Sequence, residues 1–469
     1  MNRDAARLLV ELERYPVALA GGWERVRNLL GKHSDTAFGR AKGFCSIQTP
    51  EDFRQAIPPL DYEAFWPWIE RAAAGEKRVL GCGEVIGFER TSGTSSRAKW
   101  IPLTEGLQEE FAIGLAAWFG GWRRRCPEVF EGRAYWAISP PGMEQEKTAG
   151  GLPVGMTGDA AYFPCGIGEI LADWLVIPEL SGRVEGVFEE TAARLLGEAD
   201  LSLVSVWSPT FLLGIDAALR RMRGDRTWRE LWPRLALVSC WADASSAPWI
   251  PRLRERLGGV PIESKGLLAT EGITSLPDFK KGEPRLASEC HWHEFLDESG
   301  CFVETSKVRL GASYEVLLTT SGGLFRYRSG DRVRVIRSGV DGLPRLEFIG
   351  RGGCVSDLVG EKLHEEHVSM VLGGRGFLVA DLEIPCYVRW LEDQSMAQEI
   401  EGGLRMNPYF DQALRLRQLA PLEVSVLPDD WCAKLTTALA ASRGCRVGDV
   451  KLLTLLTREK PEEVASWMG

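Results

Sequence analysis

The sequence lacks the features by which proteins bind nucleic acids or cross membranes. Its formal net charge is −9 and its pI is near 5.4, so the chain has no overall positive field to attract nucleic acid or an anionic membrane. The longest uncharged apolar stretch, residues 111–122, is much shorter than the ~20 residues that span a bilayer. We therefore expect a soluble protein whose partners include neither nucleic acid nor a membrane.

The sequence also has no paired cysteine motif and no secretion signal. Its 11 cysteines are odd in number and scattered, without a C-x-x-C pair, which argues against a disulfide framework and a zinc ribbon. The N-terminal segment MNRDAARLLVELERYP mixes acids and bases with its apolar positions, as an amphipathic helix does and a signal peptide does not. These features predict a cytoplasmic protein with reduced thiols.

Length and periodicity predict an α/β protein of two domains. A chain of 469 residues exceeds the size at which a single hydrophobic core usually keeps growing. Segments with helical period alternate with short β-branched runs. The predicted helices cover residues 4–12, 104–122, 187–196 and 249–257, and the predicted strands cover residues 201–207 and 235–239.

A β-rich subdomain is expected before the domain boundary. Residues 314–320, 324–327 and 331–336 have strand character and are separated by tight turns. The glycine-rich polar segment IGRGGCVSDLVG follows Phe348, and a new α/β pattern begins at Glu361. We therefore expect three parts: a large N-terminal domain of residues 1–350, a linker of residues 351–362 and a small C-terminal α/β domain of residues 363–469.

The segment FERTSGTSSRAKWIP, residues 88–102, has the composition of a phosphate-binding loop and lies between a strand-like run and a long predicted helix. Glycine lets the backbone approach an anion, hydroxyl groups donate hydrogen bonds, and a lysine supplies a point charge. The spacing is not that of a Walker loop. A solvated turn rich in serine and threonine is the alternative. The candidate residues are Thr91, Ser92, Gly93, Thr94, Ser95 and Lys99.

Two further segments place a carboxylate where a nucleotide could bind. In GLLATEG, residues 266–272, Glu271 follows a strand and could hold Mg²⁺ beside triphosphate oxygens, although it could equally be an acid at a helix N-terminus. In LFRYRSGD, residues 324–331, Gly330 is predicted to make a turn and Asp331 could accept hydrogen bonds from a ribose. Arg326 and Arg328 could instead pair with surface acids.

In this order, the three motifs resemble those of the Gretchen Hagen auxin-responsive type of acyl-acid amido synthetase, within the acyl-adenylate-forming superfamily that includes luciferase. The family's TSGTS-x-x-x-K-x-IP run is similar to the segment from Thr91 to Pro102. Its Ser/Thr-Glu pair matches Thr270 and Glu271, and its GLYRYRxGD run resembles the segment that ends at Asp331. The resemblance covers most of the chain.

The resemblance implies a fold and an activity. The fold would be α/β, with a large N-terminal adenylate-forming domain that contains a β-rich subdomain. A small mobile C-terminal α/β domain would swing about the 351–362 hinge between two half-reactions. With ATP and Mg²⁺ as cofactors, the enzyme would convert a small carboxylic acid to an acyl-adenylate. It would then pass the acyl group to an amine, by default an amino acid, and act as a monomer.

The resemblance also implies roles for individual residues. Glu271 would bind Mg²⁺ and act in catalysis with Lys99 and Lys451. Around Lys451 the sequence departs from the family, because Asp449 replaces a glutamine and Leu452 follows, so an exposed lysine that starts a strand is the alternative. The implied nucleotide-binding residues are Thr91, Ser92, Gly93, Thr94, Ser95, Lys99, Ala269, Thr270, Asp331, Arg351 and Lys362.

An aromatic pocket is expected to bind the acid. The chain has 17 tryptophans, and such side chains could line an acid pocket, although most are expected in the core. We place the pocket between the helix of residues 104–122 and the segments near residues 160–162 and 207–211. The candidate acid-binding residues are Trp118, Trp122, Tyr162 and Trp207.

The histidine pairs and the remaining motifs give weaker support for other functions. His291 and His293 would share one face of a strand and could bind a metal, but the sequence suggests no third ligand. His364 and His367 have helical spacing without the zinc-protease order, and no G-x-S-x-G elbow occurs. A thioester ligase that uses coenzyme A or a carrier protein, and a non-catalytic nucleotide- or acyl-binding protein, remain the alternatives.

Overall fold

The N-terminal segment is helical. The computed structural model describes residues 1–17, 22–91, 99–136, 146–155, 159–178, 186–278, 280–351, 355–381 and 386–469. Polar side chains begin several of these helices: Asn2 accepts from the amide of Asp4, and Asp61 accepts from that of Ala64. The helices are α1 (Arg3–Leu12), α2 (Gly22–His33), α3 (Ala37–Ala41), α4 (Pro50–Ala56) and α5 (Tyr62–Ala73).

An α/β layer follows, built on a parallel sheet of order β3-β6-β7-β8. A second sheet of four strands has the order β2-β1-β5-β4. The elements are β1 (Val85–Thr91), β2 (Lys99–Thr104), α6 (Glu105–Arg125), β3 (Arg133–Trp136), β4 (Glu146–Lys147), β5 (Pro153–Val154), α7 (Cys165–Trp174), α8 (Val187–Leu196), β6 (Leu201–Ser205), α9 (Pro209–Arg223), α10 (Trp228–Leu231), β7 (Leu237–Cys240), α11 (Ile250–Leu257) and β8 (Ile262–Ser264).

The predicted helices and strands of this layer are confirmed, with small shifts at their ends. Thr104 is the cap of α6 and not its first residue, because its hydroxyl accepts a hydrogen bond from the amide of Leu107 at 3.2 Å. β6 ends at Ser205, two residues before the predicted end, and β7 begins two residues later than predicted, at Leu237. Each of these strands is buried along its whole length, as strands of a covered parallel sheet are.

The β-rich subdomain is an antiparallel sheet of seven strands in the order β11-β12-β17-β16-β15-β13-β14. A hairpin of β9 and β10 precedes it. The strands are β9 (Leu268–Ala269), β10 (Gly272–Ile273), β11 (Ser275–Pro277), β12 (Pro284–Leu286), β13 (Trp292–Leu296), β14 (Phe302–Val303), β15 (Ser313–Thr319), β16 (Tyr327–Ser338) and β17 (Pro344–Arg351).

The prediction of two strands separated by a turn at Gly330 is wrong. β16 is one strand from Tyr327 to Ser338, and Leu324 lies before it. Gly330 has a φ of +83° at a shift of register between β15 and β16, so the glycine forms a bulge within a continuous strand. A bulge and a turn both need the positive φ that glycine tolerates, so the residue type alone does not distinguish them.

The C-terminal part has a sheet of its own, in the order β22-β21-β20-β23. His364 is the last residue of β19 and the N-cap of α12, whereas His367 lies within α12, so the helix contains only one of the two histidines. The elements are β18 (Val355–Ser356), β19 (Leu363–His364), α12 (Glu365–Leu372), β20 (Gly376–Asp381), β21 (Cys386–Leu391), α13 (Ala397–Leu404), α14 (Pro408–Arg415), β22 (Glu423–Val426), α15 (Trp431–Arg443), β23 (Leu455–Leu456) and α16 (Pro461–Met468).

One hydrophobic cluster crosses the predicted domain boundary. It includes buried side chains from the parallel-sheet layer and from β20, β21, α15 and α16. The rings of Trp249 and Trp431 lie 5.3 Å apart, and Arg252 pairs with Glu392 at 2.7 Å. In this arrangement the C-terminal part is therefore packed against the N-terminal part through apolar surface. Among the described residues, no helix has both the length and the apolar composition that crossing a membrane requires.

Candidate active site

The two described ends of the predicted phosphate loop are paired. Thr91, the last residue of β1, pairs with Lys99, the first residue of β2. The structure thus places a second strand between the loop and α6, where the sequence predicted that the helix would follow directly. Four predicted loop residues lie outside the described residues, namely Ser92, Gly93, Thr94 and Ser95.

Lys99 lies against the aromatic ring of Tyr62, and the charge of Glu271 also acts on Tyr62. The Lys99 ammonium lies 5.3 Å from the centre of this ring, and the Tyr62 hydroxyl accepts a hydrogen bond from the Trp100 amide at 2.8 Å. Burial, with a smaller contribution from the charge of Glu271, raises the pKa of Tyr62 to about 12. The Tyr327 hydroxyl donates to a Glu271 carboxylate oxygen at 3.3 Å. We call Lys99, Tyr62, Glu271 and Tyr327 the lysine–glutamate cluster.

Glu271 lies at the tip of a tight hairpin. β9 ends at Ala269, β10 begins at Gly272, and Thr270 and Glu271 are the two residues between them. The prediction that Glu271 follows a strand is confirmed. The alternative of an acid at a helix N-terminus is wrong, because a strand follows. Glu271 is only 2% exposed.

The carboxylate chemistry of this site suits Mg²⁺ better than a transition metal. Within the described ranges, no group of three or more His, Cys, Asp or Glu side chains could hold a metal ion. Mg²⁺ in nucleotide sites is commonly bound by one or two carboxylates together with phosphate oxygens and water. Glu271, a single buried carboxylate, fits that pattern. The histidine pair contacts protein groups instead, with His291 at 2.9 Å from Glu110 and His293 at 3.0 Å from the carbonyl of Ile273.

Asp331 is buried directly after the bulge of β16. Its amide donates to the hydroxyl of Ser329 at 3.1 Å, and its residue is 3% exposed. It pairs across the sheet with Arg351, the last residue of β17. The suggestion that two nearby arginines pair with surface acids holds for only one of them. Arg328 pairs with Glu315 near the surface, but Arg326 forms a buried ion pair with Glu294 at 2.9 Å.

Lys451 reaches from the C-terminal part to the N-terminal part. Its ammonium lies 4.2 Å from the ring centre of Trp241 and 5.6 Å from that of Phe348. It is half-buried and lies outside any strand, so the alternative of an exposed lysine that starts a strand is wrong. The residue lines a small pocket, whose other lining residues are Trp241, Ala242, Asp243, Ser246, Gly266, Leu267 and Phe348.

The segment that lines this pocket continues in sequence to the lysine–glutamate cluster. Gly266 and Leu267 line the pocket and continue directly into the hairpin that carries Glu271. Burial raises the pKa of Asp243, which also lines the pocket, to about 6. Lys362, by contrast, is exposed directly before β19. It is not one of the residues that line the pocket.

The tryptophans predicted to bind the acid fall into different environments. Trp118 and Trp122 are buried, and both indole N–H groups donate to one oxygen of Glu263, at 3.0 and 2.7 Å. Trp207 is half-buried, with its ring 5.5 Å from that of Trp241. Tyr162 is partly buried against Phe111, with 5.7 Å between the ring centres.

Trp118 and Trp207 share a neighbour that sequence reasoning missed. Both rings face the ammonium of Lys265, at 5.3 and 4.4 Å from their centres. Lys265 is fully buried immediately before Gly266. The only sequence signal for Lys265 was its charge, directly before the apolar run that leads to Glu271. Tyr62, the other missed residue, lies in the segment IPPLDYEAF upstream of the predicted phosphate loop.

Known proteins with a similar sequence are amido synthetases. Indole-3-acetic acid-amido synthetase GH3.3 of Arabidopsis thaliana is 22% identical, over 91% of this chain and 87% of its own length. Jasmonoyl--L-amino acid synthetase JAR6 of Nicotiana attenuata is also 22% identical, over 74% of this chain and 72% of its own.

Solved structures confirm the fold. The AtGH3.15 acyl acid amido synthetase in complex with 2,4-DB matches with a TM-score of 0.79 and 18% identity, over 99% of this chain and 95% of the other. A 2-hydroxyisobutyryl-CoA ligase in its postadenylation state matches with a TM-score of 0.59 and 12% identity, over 96% and 92%. The predicted α/β fold of adenylate-forming enzymes is therefore confirmed.

Two sequence models of one family match separate parts of the chain. The model described as the GH3 family N-terminal domain matches residues 24–166, which include the predicted phosphate loop. The model described as the GH3 family central domain matches residues 285–351, which include Asp331. Over these two ranges the chain is similar to the GH3 family, in agreement with the resemblance of its three motifs.

Proposed function

We propose that the protein is an ATP-dependent ligase that activates a carboxylic acid as its acyl-adenylate and transfers the acyl group to an amino acid. The names of two relatives describe an amido synthetase of indole-3-acetic acid and a synthetase of jasmonoyl-L-amino acids. The observation that carries the proposal is the lysine–glutamate cluster, in which Lys99 lies against Tyr62 and the charge of Glu271, from a distant segment, raises the pKa of the same tyrosine. Opposite charges beside a predicted phosphate loop suit the binding of a nucleotide triphosphate with its metal ion.

In the first half-reaction, the acid carboxylate attacks the α-phosphorus of ATP, an O–P bond forms, and pyrophosphate leaves. A carboxylate is a poor electrophile, and the mixed anhydride with AMP gives its carbonyl carbon a good leaving group. Lys99 would neutralise phosphate oxygens as charge moves onto pyrophosphate. Glu271 would hold Mg²⁺, which when bound supplies further charge neutralisation. Asp331 would accept hydrogen bonds from the ribose hydroxyls.

Further proposed contacts come from the predicted phosphate loop and the domain linker. The hydroxyl and amide groups of the loop, including Thr91, would donate to phosphate oxygens. Ala269 and Thr270, beside Glu271 on the hairpin, would line the nucleotide site. Arg351 and Lys362 would contact the nucleotide from either end of the 351–362 hinge.

In the second half-reaction, the neutral amine attacks the acyl carbon, the C–O bond to AMP breaks, and the amide forms with loss of one proton from nitrogen. We propose that residues 363–469 reorient about the hinge between the two steps, relative to residues 1–350. Lys451, which lies against Trp241, would then serve only one of the two states. Such a movement would have to separate apolar surfaces such as those of Trp249 and Trp431.

We also propose that the enzyme is a cytoplasmic monomer. The net charge of −9 supports partners that are small molecules, with no role for nucleic acid or a membrane. The ten described cysteines are all free thiols, which suits a reducing compartment.

The experiment is a measurement of pyrophosphate release and product mass. The protein is incubated with ATP and Mg²⁺ across aryl, alkyl and indolic acids, alone, with amino acids, or with coenzyme A. Acid-dependent release that yields an amide only when amino acids are present supports the proposal. Thioester formation in place of amide would favour the thioester ligase, and no release with any acid would contradict the proposal.

A further inference from the structure

The backbone on either side of Lys451 is held by apolar packing. Its neighbours Val450 and Leu452 are buried, and both belong to the hydrophobic cluster that crosses the predicted domain boundary. Just before it, the amide of Val450 donates to the carbonyl of Val447 at 3.3 Å. A lysine side chain is a flexible four-carbon stem. With the backbone held, the contacts of that stem and its ammonium decide where the charge of Lys451 lies.

Two aromatic rings of the N-terminal part contact this ammonium. Its distance is 4.2 Å from the ring centre of Trp241 and 5.6 Å from that of Phe348. Both values are within the ~6 Å over which an aromatic face attracts a cation. Trp241 follows β7 of the parallel sheet, whereas Phe348 lies on β17 of the antiparallel sheet. We call these two rings the aromatic seat of Lys451.

Neighbouring groups fix the tryptophan of the aromatic seat. The amide of Trp241 donates to the carbonyl of Trp207 at 2.8 Å, and the two rings lie 5.5 Å apart. The ring of Trp207 in turn contacts the ammonium of Lys265 at 4.4 Å, and that ammonium donates to the hydroxyl of Ser205. A side chain locked by its neighbours presents a defined surface to a ligand or to another side chain. The seat is therefore formed before Lys451 occupies it.

The aromatic seat lies in the pocket beside the proposed nucleotide site. Trp241, Phe348 and Lys451 all line this pocket, together with residues 266–267, which continue into the hairpin of β9 and β10. A lysine loses much rotamer freedom when it is ordered, and ordering it before the reaction lowers that cost during the reaction. A preorganised ammonium stabilises developing negative charge better than a mobile one.

We propose that Trp241 and Phe348 are positioning residues that hold the ammonium of Lys451 in the pocket and so favour the domain arrangement in which the acyl-adenylate forms. This inference rests on the proposed function, because it assigns the aromatic seat to the first half-reaction. Without the Trp241 ring, the ammonium spends less time in the pocket. In the arrangement for aminolysis, Lys451 has left the seat, and the two rings no longer affect the rate through it.

The first test measures the environment of Lys451 without any activity. The protein is treated briefly with succinimidyl acetate, and acetylation of each lysine is followed by peptide mass spectrometry. We expect Lys451 in Trp241→Leu to react about two- to fivefold faster than in the wild type, the factor that one cation–π contact supplies. Trp241→Phe keeps a ring and should restore most of the protection. Lys77, which is exposed, is the internal control and should react equally in all three proteins. Equal rates at Lys451 in the wild type and Trp241→Leu would overturn the inference.

The second test distinguishes a residue that acts through Lys451 from one that contacts the substrate. Single-turnover adenylate formation and aminolysis of preformed acyl-adenylate are measured for Trp241→Leu, Lys451→Met and the double variant. Trp241→Leu should slow adenylate formation about fivefold and leave aminolysis within about twofold of the wild type. It should have no further effect when Lys451 is already methionine. Trp23→Leu, on α2, is the matched control. An undiminished loss in the double variant, or equal losses in both steps, would overturn the inference.

The two tests also separate this inference from the proposed function. If Trp241→Leu does not fold by circular dichroism, Phe348→Leu, which removes the other ring of the aromatic seat, replaces it in both tests. Faster acetylation of Lys451 in the variant, without acid-dependent pyrophosphate release by the wild type, would contradict the proposed function alone. Acid-dependent release by the wild type, with Lys451 equally reactive in both proteins, would contradict this inference alone.

Discussion

Two regions beside the segment of residues 265–271 each contain a lysine and a buried carboxylate, yet they differ in how the lysine is surrounded. In the lysine–glutamate cluster, Lys99 is half-buried beside one tyrosine ring. At the other end of the segment, Lys265 is fully buried among three indole rings. An ammonium loses more of its hydration when it is fully buried, so the second lysine depends more on the protein groups around it. Under the proposed function, the nucleotide would bind beside the first lysine.

Replacing Glu271 with glutamine should have the largest effect. Glu271→Gln keeps the size of the side chain and can still contact the Tyr327 hydroxyl, but it removes the charge that would hold Mg²⁺. We expect adenylate formation to fall about 10³-fold with every acid, with an unchanged melting temperature. Glu315→Gln, which removes the surface partner of Arg328, is the matched control. Near-normal pyrophosphate release by folded Glu271→Gln would remove the Mg²⁺ assignment.

Replacing Lys99 should have a smaller effect that is equally independent of the acid. Lys99→Met should lower adenylate formation about 10²-fold, because one charge on the triphosphate is lost while the strand pairing of β1 and β2 remains. Lys77→Met, on an exposed side chain, is the control. The measurement is the rate of adenylate formation by both variants with two different acids. A loss confined to one acid would mean that Lys99 recognises the acid and not the triphosphate.

Lys451 should separate the two half-reactions. Lys451→Ala removes a cation that contacts Trp241 across the predicted domain boundary. We expect adenylate formation to fall about tenfold more than aminolysis of preformed acyl-adenylate, because the lysine would serve one arrangement of the domains only. Lys434→Ala, on α15, is the control. Equal losses in both steps, measured by single-turnover kinetics, would count against the domain movement.

The smallest expected effect is a change in the pH dependence of stability through Asp243. Burial raises the pKa of this carboxyl from 3.8 to about 6, so the folded state binds more protons than the unfolded state between these values. The free energy of unfolding of the wild type should therefore fall by on the order of 1 kcal/mol, relative to Asp243→Asn, as pH rises from about 4 to about 6. Urea unfolding of both proteins measures it, and parallel pH profiles would refute the assignment.

The lysine–glutamate cluster could be predicted in part, because two of its segments carry local sequence signals, whereas Tyr62 has no such signal. Thr91 to Lys99 form one short segment, and Glu271 was correctly expected after a strand. The roles of these residues remain predictions. Gly330 shows the limit of a local signal, because a glycine with positive φ serves a bulge as well as a turn.

The surroundings of Lys265 could not be predicted, because the residues there meet only through the pairing of distant strands. Ser205 and Ser239 lie on β6 and β7, and nothing in their spacing reveals that they are register partners. Lys265 has no motif of its own. The packing of Trp249 against Trp431 was likewise hidden, since an apolar helix face does not specify which other helix covers it.

The central claim, that this chain makes an acyl-adenylate, is tested most directly by ATP–pyrophosphate exchange without any amine. The wild-type protein is mixed with ATP, Mg²⁺, labelled pyrophosphate and one acid at a time from a panel of aryl, alkyl and indolic acids. We expect labelled ATP to form only when the acid is present, and we expect none with Glu271→Gln. Exchange that is independent of every acid, or equal in Glu271→Gln, would contradict it.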